Sequence, residues 1–233
     1  IWFAHCPKAG GTSVEKAMVA RWGESVGHLH WGWDRWWRHG GWRVADPPNS
    51  PQHLIWADAL KLIPKPPDAV FAMVRSPVAR MVSEYRWHRQ GRRGTWLGRA
   101  LSYLPFSLWL RVMLQTAKRN PYAFDNHFRS QSDFIPDGAA LFRLEDGVDQ
   151  ALGWLQDVTG EALHPLDTHH ELSTCGDVPF SQADAAVIAR TYRRDFERFG
   201  YPAPTLTANR TFIDHSAAIL APIIVWLDKR GLL

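Results

Sequence analysis

The residues best equipped for chemistry lie near the start of the 233-residue chain, in Pro7-Lys8-Ala9-Gly10-Gly11-Thr12-Ser13. Adjacent glycines let backbone N–H groups approach an anion closely, and a helix starting here adds partial positive charge from its N-terminus. Lys8 adds a full charge, and Thr12 and Ser13 add hydroxyl donors. Such a set recognises phosphate or a similar anion. It is not a Walker A loop, because the lysine precedes the glycines and no Gly-Lys-Ser/Thr follows. A second set begins at Arg75, directly after an apolar run, with Arg80 and Ser83 in the segment that follows. A guanidinium fork and a hydroxyl flanking one crevice suit a second phosphate. The plainer alternatives are an ordinary glycine turn and an ion-pair network of Arg75 and Arg80 with acids such as Glu84.

Eleven histidines are present, and histidine has the right unperturbed pKa for a general base. Most of them must be structural or solvated. His5 adjoins the glycine loop within reach of a ligand, but its alternation with Phe3 reads as packing. His28/His30 and His169-His170 are alternate and adjacent loop pairs, a poor spacing for metal ligation, so no metal is expected. Five tryptophans fall between Trp31 and Trp42, mixed with His28, His30, Arg35, Arg38 and Arg43. Aromatic faces stack on sugar rings while Arg and His hold anionic groups, so this segment reads as an acceptor surface for a glycan or another hydroxylated small molecule. Its plainer reading is a loop packed on the domain by its indoles.

The elements that must position these groups alternate. Residues 1–5 read as a buried strand, followed by the glycine turn and a helix ending near Gly23. Thr12 and Glu15 have the spacing of a capping box. Residues 57–63 predict a short helix, and the apolar run 69–74 predicts the clearest strand, bounded by turn residues. Pro77 suits the first turn of the next helix, which runs to about Gln90 with Val78, Met81, Val82 and Tyr85 inward. Gly91–Gly94 is a basic turn read as a solvated face, and 95–118 is helical in pattern with a break at Pro105. A strand is expected at 141–144, then helices at 149–159 and 182–199, the second capped by Ser181 with Asp184. Strands alternating with helices give an α/β fold of three layers, P-loop-like, around a central, mainly parallel sheet. One domain is expected over 1–204, with 24–52 as a Trp-rich acceptor-side insertion and 205–233 as a helical tail.

Composition narrows the class. An apolar content of 45% with 21% charged residues excludes a disordered or collagen-like chain, and two cysteines exclude a disulfide scaffold or a Cys-based zinc module. A net charge of +4 suits one anionic ligand better than a nucleic-acid coat, so no nucleic-acid partner is expected. The longest apolar run, 217–226, is far short of the roughly 20 residues of a membrane span and contains Pro222. A cytoplasmic protein without a transmembrane segment is the expectation.

Taken together and in order, PKAGGTS after one apolar strand and VRSPVARMVSEY after another resemble the PAPS-dependent sulfotransferase family. The nearest likeness is to the carbohydrate O-sulfotransferase branch that holds the heparan sulfate 2-O-sulfotransferases and bacterial relatives. NHFRSQSDFI at 126–135, FRLED at 142–146 and YRRDFERFGY at 192–201 extend the likeness along the chain. The resemblance implies that Lys8, Ala9, Gly10, Gly11, Thr12 and Ser13 bind the 5′-phosphosulfate of PAPS. It implies that Arg75 and Ser83 bind the 3′-phosphate, with PAP as product and Lys8 also acting in catalysis. In that branch a catalytic histidine lies upstream of the phosphate-binding arginine. QHLIWADAL places His53 there, 22 residues before Arg75, as general base. Arg129 joins His28, His30, Trp31 and Arg35 as an acceptor-side residue by likeness alone. Ala9 stands where the family usually has Thr, and Ser76 where it usually has Asp. A nucleotide kinase or hydrolase, and a non-catalytic glycan-binding relative, are the competing readings.

Overall fold

In the computed structural model the described residues are 1–23, 50–63, 65–90, 101, 103–163, 178, 180–205 and 212–228. In chain order their strands and α-helices are β1 (Trp2–Phe3), α1 (Gly11–Trp22), α2 (Trp56–Leu62), β2 (Val70–Val74), α3 (Pro77–Arg89), α4 (Phe106–Arg119), β3 (Ala140–Arg143), α5 (Asp149–Thr159), α6 (Gln182–Thr191), α7 (Arg193–Phe199) and α8 (Phe212–Asp228). The fold is α/β, with three parallel strands and eight helices among the described residues. The chain divides into two compact units, one formed by Ile1–Arg75 with Gln131–His170, the other by Ser76–Ser130 with Glu171–Leu233. None of the described helices is long and apolar enough to cross a membrane.

The first unit holds the sheet, in the order β1-β2-β3, with Phe3 opposite Phe71 and Val74 opposite Arg143. β2 reads as an unbroken apolar run because it is the middle strand, and Phe71, Ala72, Met73 and Val74 are all buried. β1 is shorter than the expected 1–5, pairing only at two residues, although the Ala4 N–H still donates to the Phe71 carbonyl at 2.9 Å. α5 lies against β2 and β3 and sets Trp154 on Phe71 and Phe142, at ring distances of 5.2 and 6.1 Å. Its buried Ala151, Leu152 and Leu155 form one stripe, and it spans the expected 149–159, ending at left-handed Gly160. α1 buries Val14, Ala17 and Met18, each of the larger two worth about 1.5–3 kcal/mol in transfer free energy.

The second unit is helical. Trp109 on α4 is fully buried, with Tyr85 at 5.0 Å, Phe128 at 5.7 Å and Phe106 at 6.0 Å. α8 packs on α4 through Ala217, Ala221 and Ile224, small enough to allow close approach despite Pro222 within the helix. α3 begins at Pro77 and buries Met81 and Tyr85, as its pattern predicts. It also buries Arg80, Glu84 and His88, while Val78 and Val82 are only partly covered. The apolar pattern missed this face because its polar groups find internal partners. Arg80 donates to the carbonyls of His127 at 2.7 Å and Arg129 at 2.8 Å. The single helix expected over 182–199 is two helices. Tyr192 leaves helical geometry between them, and its buried hydroxyl reaches the Phe128 carbonyl at 3.0 Å.

The Ser181–Asp184 capping box is present, with the Asp184 N–H on Ser181 Oγ at 3.2 Å and the Ser181 N–H on Asp184 Oδ2 at 2.9 Å. Asp184 does more than cap. It is fully buried, pairs with Arg111 and accepts from Ser107 at 2.6 Å. Burial alone would raise its pKa, but hydrogen bonds from Ser107, Ser181 and Arg111 outweigh burial and hold it below the ordinary 3.8. A carboxylate with a depressed native pKa contributes stability above its unfolded pKa and loses it as pH falls through the native value. Unfolding in denaturant at pH 7 and near pH 3 should show that loss. Asp184→Asn leaves Arg111 buried without its counter-charge, so it should cost about 3–5 kcal/mol at pH 7 and flatten the acid dependence.

Candidate active site

The turn between β1 and α1 is built on two left-handed residues, Lys8 at φ 65° and Gly10 at φ 87°. Glycine adopts this conformation freely, whereas lysine holds it at a cost of about 1–3 kcal/mol, a kind of strain that concentrates at functional sites. Gly10 is the N-cap of α1, and no side chain caps the helix. This overturns the capping box read from Thr12 and Glu15. The helix begins at Gly11, one residue before Thr12, so Thr12 cannot take the extended cap position. Among the described residues no side chain caps the first turn; the Ser13 N–H turns back to the Gly10 carbonyl at 3.1 Å, while the N–H groups of Gly11 and Thr12 lie ahead of the first intrahelical acceptor. Glu15 is instead buried, with Oε1 at 2.7 Å from His5 Nδ1.

The two glycines also make room for protein. A Cβ on Gly10 would lie 2.6 Å from Leu144 Cδ1, and one on Gly11 would lie 2.3 Å from both Cδ2 and Nε2 of His5. The His5 ring therefore occupies the space a side chain at 11 would need. Ala9 is fully buried, so it serves the loop through its backbone, whereas Thr12 is exposed and Lys8 and Ser13 are half-buried.

Arg75 follows β2 at the carboxyl edge of the sheet, where ligands bind in open α/β folds. Its Nη1 donates to the Lys8 carbonyl at 3.3 Å, so the second cation is tied to the glycine loop. Its backbone is gripped by one side chain. The Arg75 N–H donates to Gln131 Oε1 at 2.9 Å, and Gln131 Nε2 donates to the Arg75 carbonyl at 2.8 Å. Gln131 is fully buried, and its own carbonyl accepts from Cys6 Sγ at 3.8 Å. His53 ends a short 3-10 turn, Pro51–His53. Its Nδ1 lies 3.3 Å from Ser50 Oγ, and its ring meets His5 edge to face at 5.2 Å. The first unit thus gathers Lys8, the glycine loop, Arg75, His5 and His53.

Ser83 lies half-buried on α3 in the second unit. Arg80 on the same helix is a structural pin, as its bonds to two carbonyls show. Arg129 stacks over the Tyr122 ring at 5.0 Å and lines a cavity of about 520 Å³ with Arg111, Lys118 and Ser130. Ahead of it, Phe124, Asp125 and Asn126 are all left-handed, and His127 Nδ1 meets Glu84 Oε2 at 2.8 Å. His28, His30, Trp31 and Arg35 lie outside the described residues, as do Gly91–Gly94 and His169-His170.

Sequence reasoning missed Gln131 and misassigned Glu15. Gln131 stood inside the FRSQSDF likeness, the one signal that pointed near it. Replacing Gln131 by Leu removes the side-chain partner of the partly buried Arg75 N–H and carbonyl. The expected loss is about 2–4 kcal/mol of unfolding free energy, measured by urea titration, from two broken hydrogen bonds with little water to replace them. A loss under about 0.5 kcal/mol would show that Arg75 has other support.

No curated protein and no solved structure matches the chain. A family model described as the sulfotransferase family matches residues 1–143, more than half of the 233. That span includes the Lys8 loop, His53, Arg75, Ser83 and Gln131, and on it the chain belongs to the sulfotransferase family.

Proposed function

We propose that this transferase moves a sulfuryl group from PAPS to a hydroxyl of an acceptor, a carbohydrate, with His53 as general base. The observation that carries this reading is the cluster in the first unit. A left-handed, uncapped helix start, Lys8, and an Arg75 tied to the Lys8 carbonyl stand together with His53 one ring away. Family membership implies PAPS as the donor. The donor set fits such a ligand. Two cations and a helix N-terminus converge there, and Glu15, the acid nearest the loop in sequence, is spent in a buried pair with His5.

In this reading Lys8, Ala9, Gly10, Gly11, Thr12 and Ser13 hold the 5′ phosphosulfate, and Arg75 with Ser83 holds the 3′-phosphate. PAPS supplies an activated sulfuryl group whose transfer leaves negative charge on a phosphate oxygen. Lys8 and the first-turn N–H groups of α1 stabilise that charge, because they are preorganised donors. His53 takes the acceptor proton onto its imidazole. In-line transfer depends on these groups being fixed in advance, which the tie between Arg75 and the loop assists. His28, His30, Trp31, Arg35 and Arg129 are the proposed acceptor contacts. The Trp, Arg and His content of 28–43 supports a glycan, since indoles stack on sugar rings and cations bind their anionic groups.

The test is transfer of radiolabelled sulfate from PAPS to mixed glycan, lipid and small-alcohol pools. Label should enter a glycan. His53→Ala should lower turnover by about 10²–10⁴-fold and leave PAP binding intact. Arg75→Ala should weaken PAP binding about 10–100-fold, as expected for loss of a charge-assisted contact, and Lys8→Ala should depress turnover. A melting shift with Mg-ATP and none with PAP would instead favour a nucleotide kinase or hydrolase. Near-normal turnover in His53→Ala would remove it as the base.

A further inference from the structure

His5 is buried at 8% exposure, yet it meets Glu15, the start of α1 at Gly11 and the His53 ring. Its Nδ1 is held by Glu15 on α1 at 2.7 Å. A carboxylate only accepts, so this nitrogen carries the proton and the ring is fixed in one orientation. Cδ2 and Nε2 lie where a Cβ of residue 11 would be, directly against the first residue of α1. One neighbour is Phe3, stacked at 5.5 Å and 21°, and another is the His53 ring at 5.2 Å and 70°. Packing alone does not call for this arrangement. A leucine or phenylalanine would fill the space without burying a carboxylate on α1, and a buried carboxylate is costly unless paired. The Glu15 pair fixes an imidazole between the helix start that would hold an anion and the ring proposed as base.

We infer that His5, oriented by Glu15, is a positioning residue that couples the phosphate loop to His53. The inference rests on the reading of His53 as base. His5 need not touch the ligand. Its ring bears on the Gly11 backbone on one side and on His53 on the other, so seating an anion on the first-turn N–H groups presses on one contact and is felt at the other. An orienting carboxylate behind a histidine is the device by which hydrolytic sites hold an imidazole in register. Here the held imidazole passes its register to a second one.

Two conservative variants test this. His5→Asn keeps an N–H in the place of Nδ1 for Glu15 but removes the ring beside Gly11 and His53. Glu15→Gln keeps an oxygen acceptor for Nδ1–H and removes the charge. The readouts are PAP affinity by calorimetry, the imidazole C2–H signal of His53 by NMR (assigned with His53→Ala), and kcat against KM for PAPS in the sulfate-transfer assay. In the unsubstituted chain, saturation with PAP should move the His53 signal. In His5→Asn, PAP affinity should stay within about threefold while the His53 response vanishes and kcat falls about 10-fold or more, the size of loss that a misplaced catalytic group produces. Glu15→Gln should retain most of the response and of kcat. A His53 signal that ignores PAP in the unsubstituted chain, or that responds fully in His5→Asn, overturns the inference. So does a His5→Asn protein that loses PAP affinity in step with kcat, which would make His5 a packing residue of the loop. Near-normal turnover in His53→Ala would overturn the base assignment instead, and would leave the NMR coupling between loop and His53 standing as measured.

Discussion

One buried amide organises the carboxyl edge of the sheet. The β2–β3 ladder ends where Val74 faces Arg143, so the N–H and carbonyl of Arg75 emerge with no strand to receive them. Buried backbone groups must be paired, and the Gln131 side chain pairs both, at 2.9 and 2.8 Å. Because Gln131 also receives the Cys6 thiol on its carbonyl, the same residue ties the end of β1 to the end of β2. The glycine loop grows from the first of these ends and Arg75 from the second. With its backbone held by Gln131, Arg75 can spend a guanidinium nitrogen on the Lys8 carbonyl. Two cationic residues separated by 67 positions in the chain are thereby joined, guanidinium to carbonyl, beside an amide that is not itself charged.

Among the described residues the buried carboxylates have polar partners, Asp58 with Lys61 and Asp195 with Ser130 among them. In the first unit Glu15 has His5. In the second, Glu84 has His127 and Asp184 has Arg111, Ser107 and Ser181. The partners differ in consequence. The Asp184 group closes a helix cap and a helix–helix contact with donors that stay protonated at neutral pH, so it is structural. The Glu15 group uses an imidazole and lies under the glycine loop. It joins a titratable ring to the start of α1, beside the proposed anion loop.

Much of the site was legible because its signals are local. Glycine, lysine and hydroxyl residues in one heptapeptide mark an anion loop, an apolar hexapeptide marks the central strand, and Pro77 marks the start of α3. The helix expected at 149–159 is α5. What was not legible depends on partners distant in sequence. Glu15 read as a cap because Thr12 stands three residues before it, and the spacing contains nothing of His5, ten residues away. Gln131 is 56 residues from the backbone it grips. The polar face of α3 looks solvent-facing in sequence, since nothing local shows that Arg80 and Glu84 find acceptors and donors in the 127–129 segment. Tyr192 breaks its helix because its hydroxyl has a carbonyl to reach inside the core, and helical periodicity does not register that.

The two departures from the family pattern test how far side chains matter in the loop. Ala9 replaces a hydroxyl residue, but the position is fully buried, and its amide is already bonded to the Cys6 carbonyl at 3.3 Å. A hydroxyl there would face the interior and not a ligand on the first-turn N–H groups. Ser76 replaces an acid next to Arg75. It precedes α3, makes no side-chain cap, and contributes its carbonyl to the Arg80 N–H at 2.8 Å. An aspartate there would set a negative charge beside Arg75, and serine removes that charge. Neither substitution takes away a cation, a glycine or a first-turn N–H. Both fall where the backbone makes the described contact.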